Sequence, residues 1–559
     1  MKTSVIKLIF KTNAIEFCVC IAKNTKTRIG NWQSTEKGWS LLHKIFSLFA
    51  MRLIHLIKMT LMVCFLTLAV SINADNPSKP PNIVLIMCDD MGWSDIGCYG
   101  GEVKTPNLDQ LAAEGLRFTQ FYNNAKCTTT RASILTGLYP RRGKGGLLRE
   151  NMVTLGEAMK LAGYQTALSG KWHLGSSEST HPYRRGFDEY YGLLDGCCNF
   201  FNPKQKDPKY KGGRIRKFGI NDRDLNDFSD DYYTTDAFTD HAIECVEKFT
   251  QNSEPYFLHV CYTAPHYPLH AKPKDIKKYI GKYKMGWEEM RKQRYRRLIQ
   301  MGLIDSEWQL SDKDFRSYNW ETANKEHEDL RMAVYAAMID SMDQNIGRLI
   351  KSIKMNKGGD NTLVIFLSDN GGCAEEPGGR SPEIIPGPKE FYASVGPSWG
   401  WAQNSPFRRY KSWAHEGGIA TPCIAWWPGR VSSGSITKEV GHIIDFMPTF
   451  LELSGGKYPK EFNGEKIIPV EGKSLVSVLN GKRRKGHDQL AWEWSGNRAL
   501  REGKWKLVWD KFDKKWALFD MLEDRTETTD LAESMPELVT RLALDWRTWA
   551  KSNGLKPKN

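Results

Sequence analysis

The chain lacks several features that would assign it early. Its apolar stretch around Leu61 to Val70 falls short of the roughly 20 residues that a spanning helix needs, which argues against a stable membrane anchor. No basic stripe interleaved with stacking aromatics is present, so the formal net charge of +14 is no sign of nucleic-acid binding. Much of that charge lies in the first 74 residues, where ten Lys or Arg face two Glu, leaving +6 for the rest. The 12 cysteines include no CxxC pair of the metal-binding kind. Cys64 lacks the small residues that precede a lipid-bearing cysteine. What is present is a globular composition, 40% hydrophobic and 11% aromatic over 559 residues, enough for one large core and a smaller one.

From Met51 the sequence reads MRLIHLIKMTLMVCFLTLAVSINA: a basic start, an apolar core and a small residue before a polar stretch. Residues 51–74 are therefore read as a signal peptide cleaved after about Ala74, and the product as secreted or periplasmic. Residues 1–50 fit no targeting pattern and are read as a leader upstream of the true start at Met51. The expected domains are 75–485, which holds the chemistry, and a C-terminal subdomain, 486–559.

NIVLIMC (82–88), QTALSG (165–170), YFLHVCY (256–262) and TLVIFLS (362–368) are short apolar runs of the kind expected for buried parallel strands. Cys88 and Cys261 sit inside such runs and read as small core residues. Helical segments alternate with the strands. TPNLDQLAAEG has Thr105 as N-cap, Pro106 at the first helical position and Gly115 at the exit. DAFTDHAIECVEKFTQ and DLRMAVYAAMIDSMDQNIGRLIKSIK are further helices, and the charged segment 272–328 is expected to be an exposed helix at one sheet edge. From about His487 short strands and one helix predict a small antiparallel sheet. Together these give an α/β fold, a doubly wound, mostly parallel sheet flanked by helices, with its site along the carboxyl edge of the strands.

Polar residues gather at those strand ends. Asp89 and Asp90 follow the first strand, and Asp369 and Asn370 follow the last. Paired carboxylates repel unless a cation lies between them, and four hard oxygen donors suit Ca²⁺ better than Mg²⁺, which keeps several waters. Lys171 and His173 lie beyond the second strand, His266 beyond the third, and Lys411 and His415 just before another. In CTTTRASILTG a helix opening near Thr128 places Arg131 on the same side as Cys127, and the helix N-terminus favours an anion. By spacing alone, a buried structural thiol is an equal alternative.

The run Cys127–Gly137 resembles the signature of the type I sulfatases, C-x-[PSA]-x-R followed by L-T-G, whose cysteine is converted to formylglycine. Thr129 stands where the commonest form has proline, so incomplete conversion is expected. DDMG and SDNGG resemble that family's metal motifs, and GKWHLG, TAPHYP and KSWAHEGG its anion-handling loops. The resemblance spans roughly residues 80–550 and implies an arylsulfatase-like hydrolase of alkaline-phosphatase-like fold, matured by a formylglycine-generating enzyme. It gives the metal to Asp89, Asp90, Cys127, Asp369 and Asn370, the sulfate charge to Lys171 and Lys411, and the positioning of formylglycine to Arg131. It further makes His266 the acid for the leaving oxygen and His173 the base in sulfate release. A phosphate- or phosphonate-ester hydrolase of the same superfamily is the alternative within enzymes, with no second His and Asp cluster to favour it. A non-catalytic binder of sulfated glycans is the other, if Cys127 stays unconverted. The aromatic, Lys-rich segment 182–233, with NFFNPKQKDPKYKGGRIRKF at its centre, is suited to line a cleft for a sulfated carbohydrate; a solvated loop is its plain alternative.

Overall fold

A computed structural model describes residues 79–140 and 147–556 continuously, with scattered helical residues between 44 and 62. The proposed cleavage site at Ala74 and most of residues 1–78 lie outside the described residues, and none of the described helices is long and apolar enough to cross a membrane. Residues 80–559 form one compact unit.

Its centre is a mixed, mostly parallel sheet. β1 (Asn82–Cys88) is flanked by two parallel neighbours, β7 (Tyr256–Cys261) and β8 (Thr362–Ser368), and β3 (Gln165–Gly170) lies beyond β7. The sheet continues past β3 through β4 (Glu189–Leu193), β5 (Phe218–Ile220) and β6 (Arg223–Asp224). On the other side β9 (Ala420–Trp426) runs antiparallel to β8, and β2 (Leu116–Tyr122) antiparallel to β9. The short β10 (Ser435–Thr437) and β11 (Gly441–His442) pair with β2.

The central strands read as unbroken apolar runs because both faces are covered. Successive residues of β1 go to opposite sides: Val84, Ile86 and Cys88 join one core with helices Pro106–Glu114, Thr234–Phe249 and Lys325–Met355, whereas Ile83, Leu85 and Met87 join the other with helices Cys127–Thr136, Leu155–Leu161 and Phe446–Ser454. All nine described cysteines are free and buried.

After a short hairpin, β12 (Glu461–Phe462) and β13 (Glu465–Lys466), four antiparallel strands follow: β14 (Leu490–Trp494), β15 (Asn497–Glu502), β16 (Trp505–Asp510) and β17 (Lys515–Asp520). Helix Pro536–Ser552 covers this small sheet through Leu542 and Trp546. A fully buried charge cluster ties it to the large sheet. Lys506 Nζ donates to Glu416 Oε1 at 2.7 Å and to Glu527 Oε1 at 2.8 Å, and Arg525 Nε donates to Glu416 Oε2 at 2.8 Å.

Two segments differ from expectation. The charged run in 272–328 forms helix Gly286–Gln300, which packs on helix Gly396–Gln403 rather than on a sheet edge. Arg291 and Arg294 in it are buried, not solvated: Arg294 pairs with Asp95 at 2.6 Å and Glu102 at 2.8 Å. Segment 182–233 is not simply a loop, since it supplies β4, β5 and β6. Its ring Phe200 is buried and Phe201 packs on Tyr233 and His270, so the NFF aromatics do not line a cleft.

Candidate active site

The strand order explains how residues nearly 300 positions apart meet. The carboxyl ends of the adjacent parallel strands β8, β1, β7 and β3 deliver Asp369 and Asn370, Asp89 and Asp90, His266, and Lys171 and His173 to one edge. β2 runs in the same direction as β8, so Cys127 emerges there too. β9 runs the opposite way, so the loop before it, with Lys411, also lies at this edge. That loop is pinned at both sides: Lys411 N donates to Gly372 O and Ser412 N to Ala125 O. Gly371 is required by close packing, because a Cβ there would lie 1.8 Å from Gly417 O.

All ten predicted residues are brought together. Lys171 Nζ donates to Asp89 Oδ2 at 2.6 Å, Lys411 Nζ to Asp90 Oδ2 at 2.7 Å, and Arg131 Nη2 to Asp369 Oδ2 at 2.7 Å. Arg131 Nη1 also donates to Lys171 O at 2.8 Å. Asn370 Nδ2 donates to Asp90 Oδ1 at 2.7 Å, and Asp90 N to Asp369 Oδ1 at 3.2 Å. His266 Nε2 lies 3.3 Å from Asp90 Oδ2, while its Nδ1 is 2.5 Å from Tyr267 O and so carries the proton. Three carboxylates thus face three permanent cations, all essentially buried. Asp90 and His173 hold left-handed backbone, φ 64° and 62°, a strain kept only where surrounding structure enforces it.

Cys127 is the first residue of helix Cys127–Thr136, not the residue before it, and the N-cap is Lys126 without a side-chain cap. Gly137 ends the helix at φ 67°. Burial pushes the Cys127 thiol up, against the lowering pull of Lys171 and Lys411; it is protonated at neutral pH. His173 makes no hydrogen bond through its buried Nδ1, and burial followed by Lys171 and Arg131 drives its pKa well down.

Burial raises the Asp89 carboxyl, and Asp369 adds to this. Burial also opposes the charge on Asp90, but the ammonium of Lys411, with those of Lys126 and Lys171 beyond it, holds the carboxyl below the ordinary range. Burial pushes the His266 imidazole well below its usual value despite Asp90. In this coupled group the charge belongs to Asp90 and Lys411, and His266 is neutral.

The donor set fits a hard cation. Asp89, Asp90 and His266 present ligand atoms within 4.8 Å of one another, and Asp89 Oδ1 and Asn370 Oδ1 are buried oxygens that accept no hydrogen bond. Buried acceptors normally find partners, and oxygens with several negative charges suit Ca²⁺.

Three neighbours escaped the motif reading. Glu375 Oε1 accepts from Lys126 Nζ at 2.8 Å and Glu375 Oε2 from the Tyr267 hydroxyl at 2.5 Å. Lys411 first, then Lys126, holds the Glu375 carboxyl well below the usual range. Lys126 and Tyr267 adjoin motif residues in sequence and were legible only as such; Glu375, five residues past Asn370, carried no signal.

The chain is similar to known proteins. The family model described as Sulfatase matches residues 81–456, and that described as N-sulphoglucosamine sulphohydrolase, C-terminal, matches residues 407–545. An uncharacterised sulfatase of Schizosaccharomyces pombe is 32% identical over 86% of this chain and 96% of its own. An arylsulfatase of Klebsiella aerogenes is 31% identical over 73% of this chain and 94% of its own. Among solved structures, Ps i-CgsB in complex with k-i-k-neocarrahexaose is similar with a TM-score of 0.63 and 26% identity, over 85% of this chain and 94% of that one.

Proposed function

This chain belongs to the sulfatase family and hydrolyses sulfuric esters; we propose that it is a secreted or periplasmic enzyme that desulfates a carbohydrate, accepts aryl sulfates, and works through Cys127 converted to formylglycine beside a Ca²⁺ ion. The observation that carries this reading is the juxtaposition of Cys127, at a helix N-terminus, with three buried cations and three buried carboxylates. Because the thiol is pushed up and protonated, Cys127 is a poor nucleophile as it stands. Conversion would give a hydrated aldehyde with two hydroxyls on one carbon, one to attack sulfur and one to assist sulfate release. Asp89, Asp90, Asp369 and Asn370 would hold the Ca²⁺, which supplies charge stabilisation to the sulfuryl oxygens and activates a hydroxyl.

The remaining work falls to the chain. Lys171 and Lys411 hold their ammonium groups on the Asp89 and Asp90 carboxylates, preorganised to meet charge developing on the sulfuryl group. Arg131, fixed on Asp369 Oδ2 and Lys171 O, orients residue 127. His266 keeps its Nδ1 proton on Tyr267 O and offers Nε2. An arriving ester anion raises the pKa of that imidazole, so Nε2 can carry a proton to the leaving oxygen. His173, neutral and next to the cations, takes a proton in the second half-reaction.

An acid at His266 matters most for a poor leaving group such as a sugar alkoxide. The hexasaccharide bound by Ps i-CgsB supports the same substrate class. The test compares His266→Ala on an activated aryl sulfate and on sulfated oligosaccharides. A loss about 100-fold larger on the sugars, within the usual worth of a general acid, is expected; equal losses, or no sulfate released from any glycan, favour a small-molecule arylsulfatase.

A further inference from the structure

From His266 a line of side chains leads outward. The hydroxyl of Tyr267 donates to Glu375, which also accepts from Lys126 and lies 3.9 Å from Lys411 Nζ. Glu375 therefore compensates the cations on its side of the site. The same Tyr267 hydroxyl oxygen accepts from Lys211 Nζ at 3.2 Å, and that ammonium stands 5.0 Å from the ring centroid. Lys211 is half-buried and makes no ion pair with a carboxylate among the described residues. It ends the turn Lys209–Lys211. Its neighbour Tyr210 leaves 54% of its surface exposed while its ring meets Tyr392 edge-on at 6.2 Å.

A partly desolvated ammonium without a carboxylate is an open anion receptor. An exposed aromatic ring braced from behind is a stacking surface at low entropic cost. Lys211 stands on the residue that follows His266, and Tyr210 stands on Tyr392, whose ring lies 5.9 Å from that of Tyr267. We propose that Tyr210 and Lys211 form the subsite for the sugar next to the sulfated one, with Tyr210 against its ring and Lys211 pairing with a second anionic group on it, a sulfate or a carboxylate. This inference rests on the carbohydrate reading above, and it makes the preferred substrate a glycan with more than one negative charge. The turn belongs to segment 182–233, whose rings Phe200 and Phe201 are occupied in the core.

The test uses the intact, matured enzyme hydrolysing an aryl sulfate, inhibited by a multiply sulfated carrageenan hexasaccharide or by its desulfated counterpart. Lys211→Ala should weaken inhibition by the sulfated sugar about ten-fold and flatten its salt dependence, as loss of one charge pair does. Lys211→Arg should restore most of it. Tyr210→Ala should weaken both sugars alike. An inhibition constant for Lys211→Ala within about two-fold of wild type, or no inhibition of the wild type by the sulfated sugar, overturns the subsite. Sulfate release from the hexasaccharide, followed in the same reactions, tests the carbohydrate reading separately: release with inhibition indifferent to Lys211 defeats the subsite alone, charge-dependent inhibition without release defeats that substrate alone, and the absence of both defeats the two together.

Discussion

Replacing Lys411 by methionine removes one charge from a cluster that is balanced in the structure. Asp89, Asp90 and Asp369 supply three carboxyl groups, each paired with one of the cations Lys171, Lys411 and Arg131. Lys411 Nζ is the ammonium on Asp90, 2.7 Å from Oδ2, and both side chains are 1% exposed. Methionine keeps most of the apolar volume, so the loss is chiefly electrostatic. Removing one partner of a buried pair leaves an uncompensated charge and costs about 3–5 kcal/mol; Asn370 and His266 remain beside Asp90, which places the expectation near the lower figure. Calcium should reverse part of this. At a concentration about 100 times its dissociation constant, calcium stabilises a folded protein by about 2.7 kcal/mol. Without the competing ammonium it should bind the variant more tightly; a ten-fold gain adds about 1.4 kcal/mol. Urea unfolding of both proteins, in chelator and in calcium, measures the two differences as midpoint shifts. Destabilisation of less than about 1 kcal/mol in chelator, well under the buried-pair range, or a larger calcium effect on the wild type than on the variant, would refute the reasoning. Turnover should fall in either medium.

Asp90→Ala and Asp369→Ala should each abolish calcium binding in calorimetric titration of the metal-stripped protein; unchanged affinity in both would move the ion elsewhere. Thr129→Pro should raise the fraction of Cys127 converted in a host with an ordinary formylglycine-generating system, read by peptide mass spectrometry, because Thr129 lies in the first turn, where an N–H has no intrahelical partner. Complete conversion of the natural Thr129 protein would make the departure harmless. Asp445→Asn should cost about 2 kcal/mol at pH 7: burial opposes its charge, but His487 and Arg484 hold its pKa at about 2 against 3.8. That stability is present above the unfolded value and lost as pH falls towards 2, so the two proteins should converge in acid denaturation; a gap independent of pH would contradict it.

The sequence made the strand ends legible and left their surroundings dark, for physical reasons. β1, β3, β7 and β8 are buried on both faces, so composition alone marks them, and polar residues just beyond a buried strand can only lie at its end. β9 was read as a strand, but nothing local announced that it runs antiparallel, and that reversal is what brings Lys411 to the same edge. The helix Gly286–Gln300 shows the opposite limit. Arg291 and Arg294 look like a solvated face because the acids that make burial tolerable for Arg294, Asp95 and Glu102, lie nearly 200 residues earlier. Cys127 was placed one residue outside its helix because Lys126, the actual N-cap, has no side chain that caps. Glu375 was silent for the same reason as Arg294: a lone charge has meaning only beside its partner.

The central claim is that Cys127 acts after conversion to an aldehyde. Trypsin cuts after Lys126 and Arg131 and releases Cys127–Arg131 as a short peptide, whose mass in active enzyme should be lower by the difference between a CH2SH and a CHO group, in a proportion that tracks turnover across preparations. Cys127→Ser should release no catalytic amount of sulfate, because a serine sulfate has no second hydroxyl to assist its collapse. Full turnover from protein in which that peptide carries only unmodified cysteine would contradict the account.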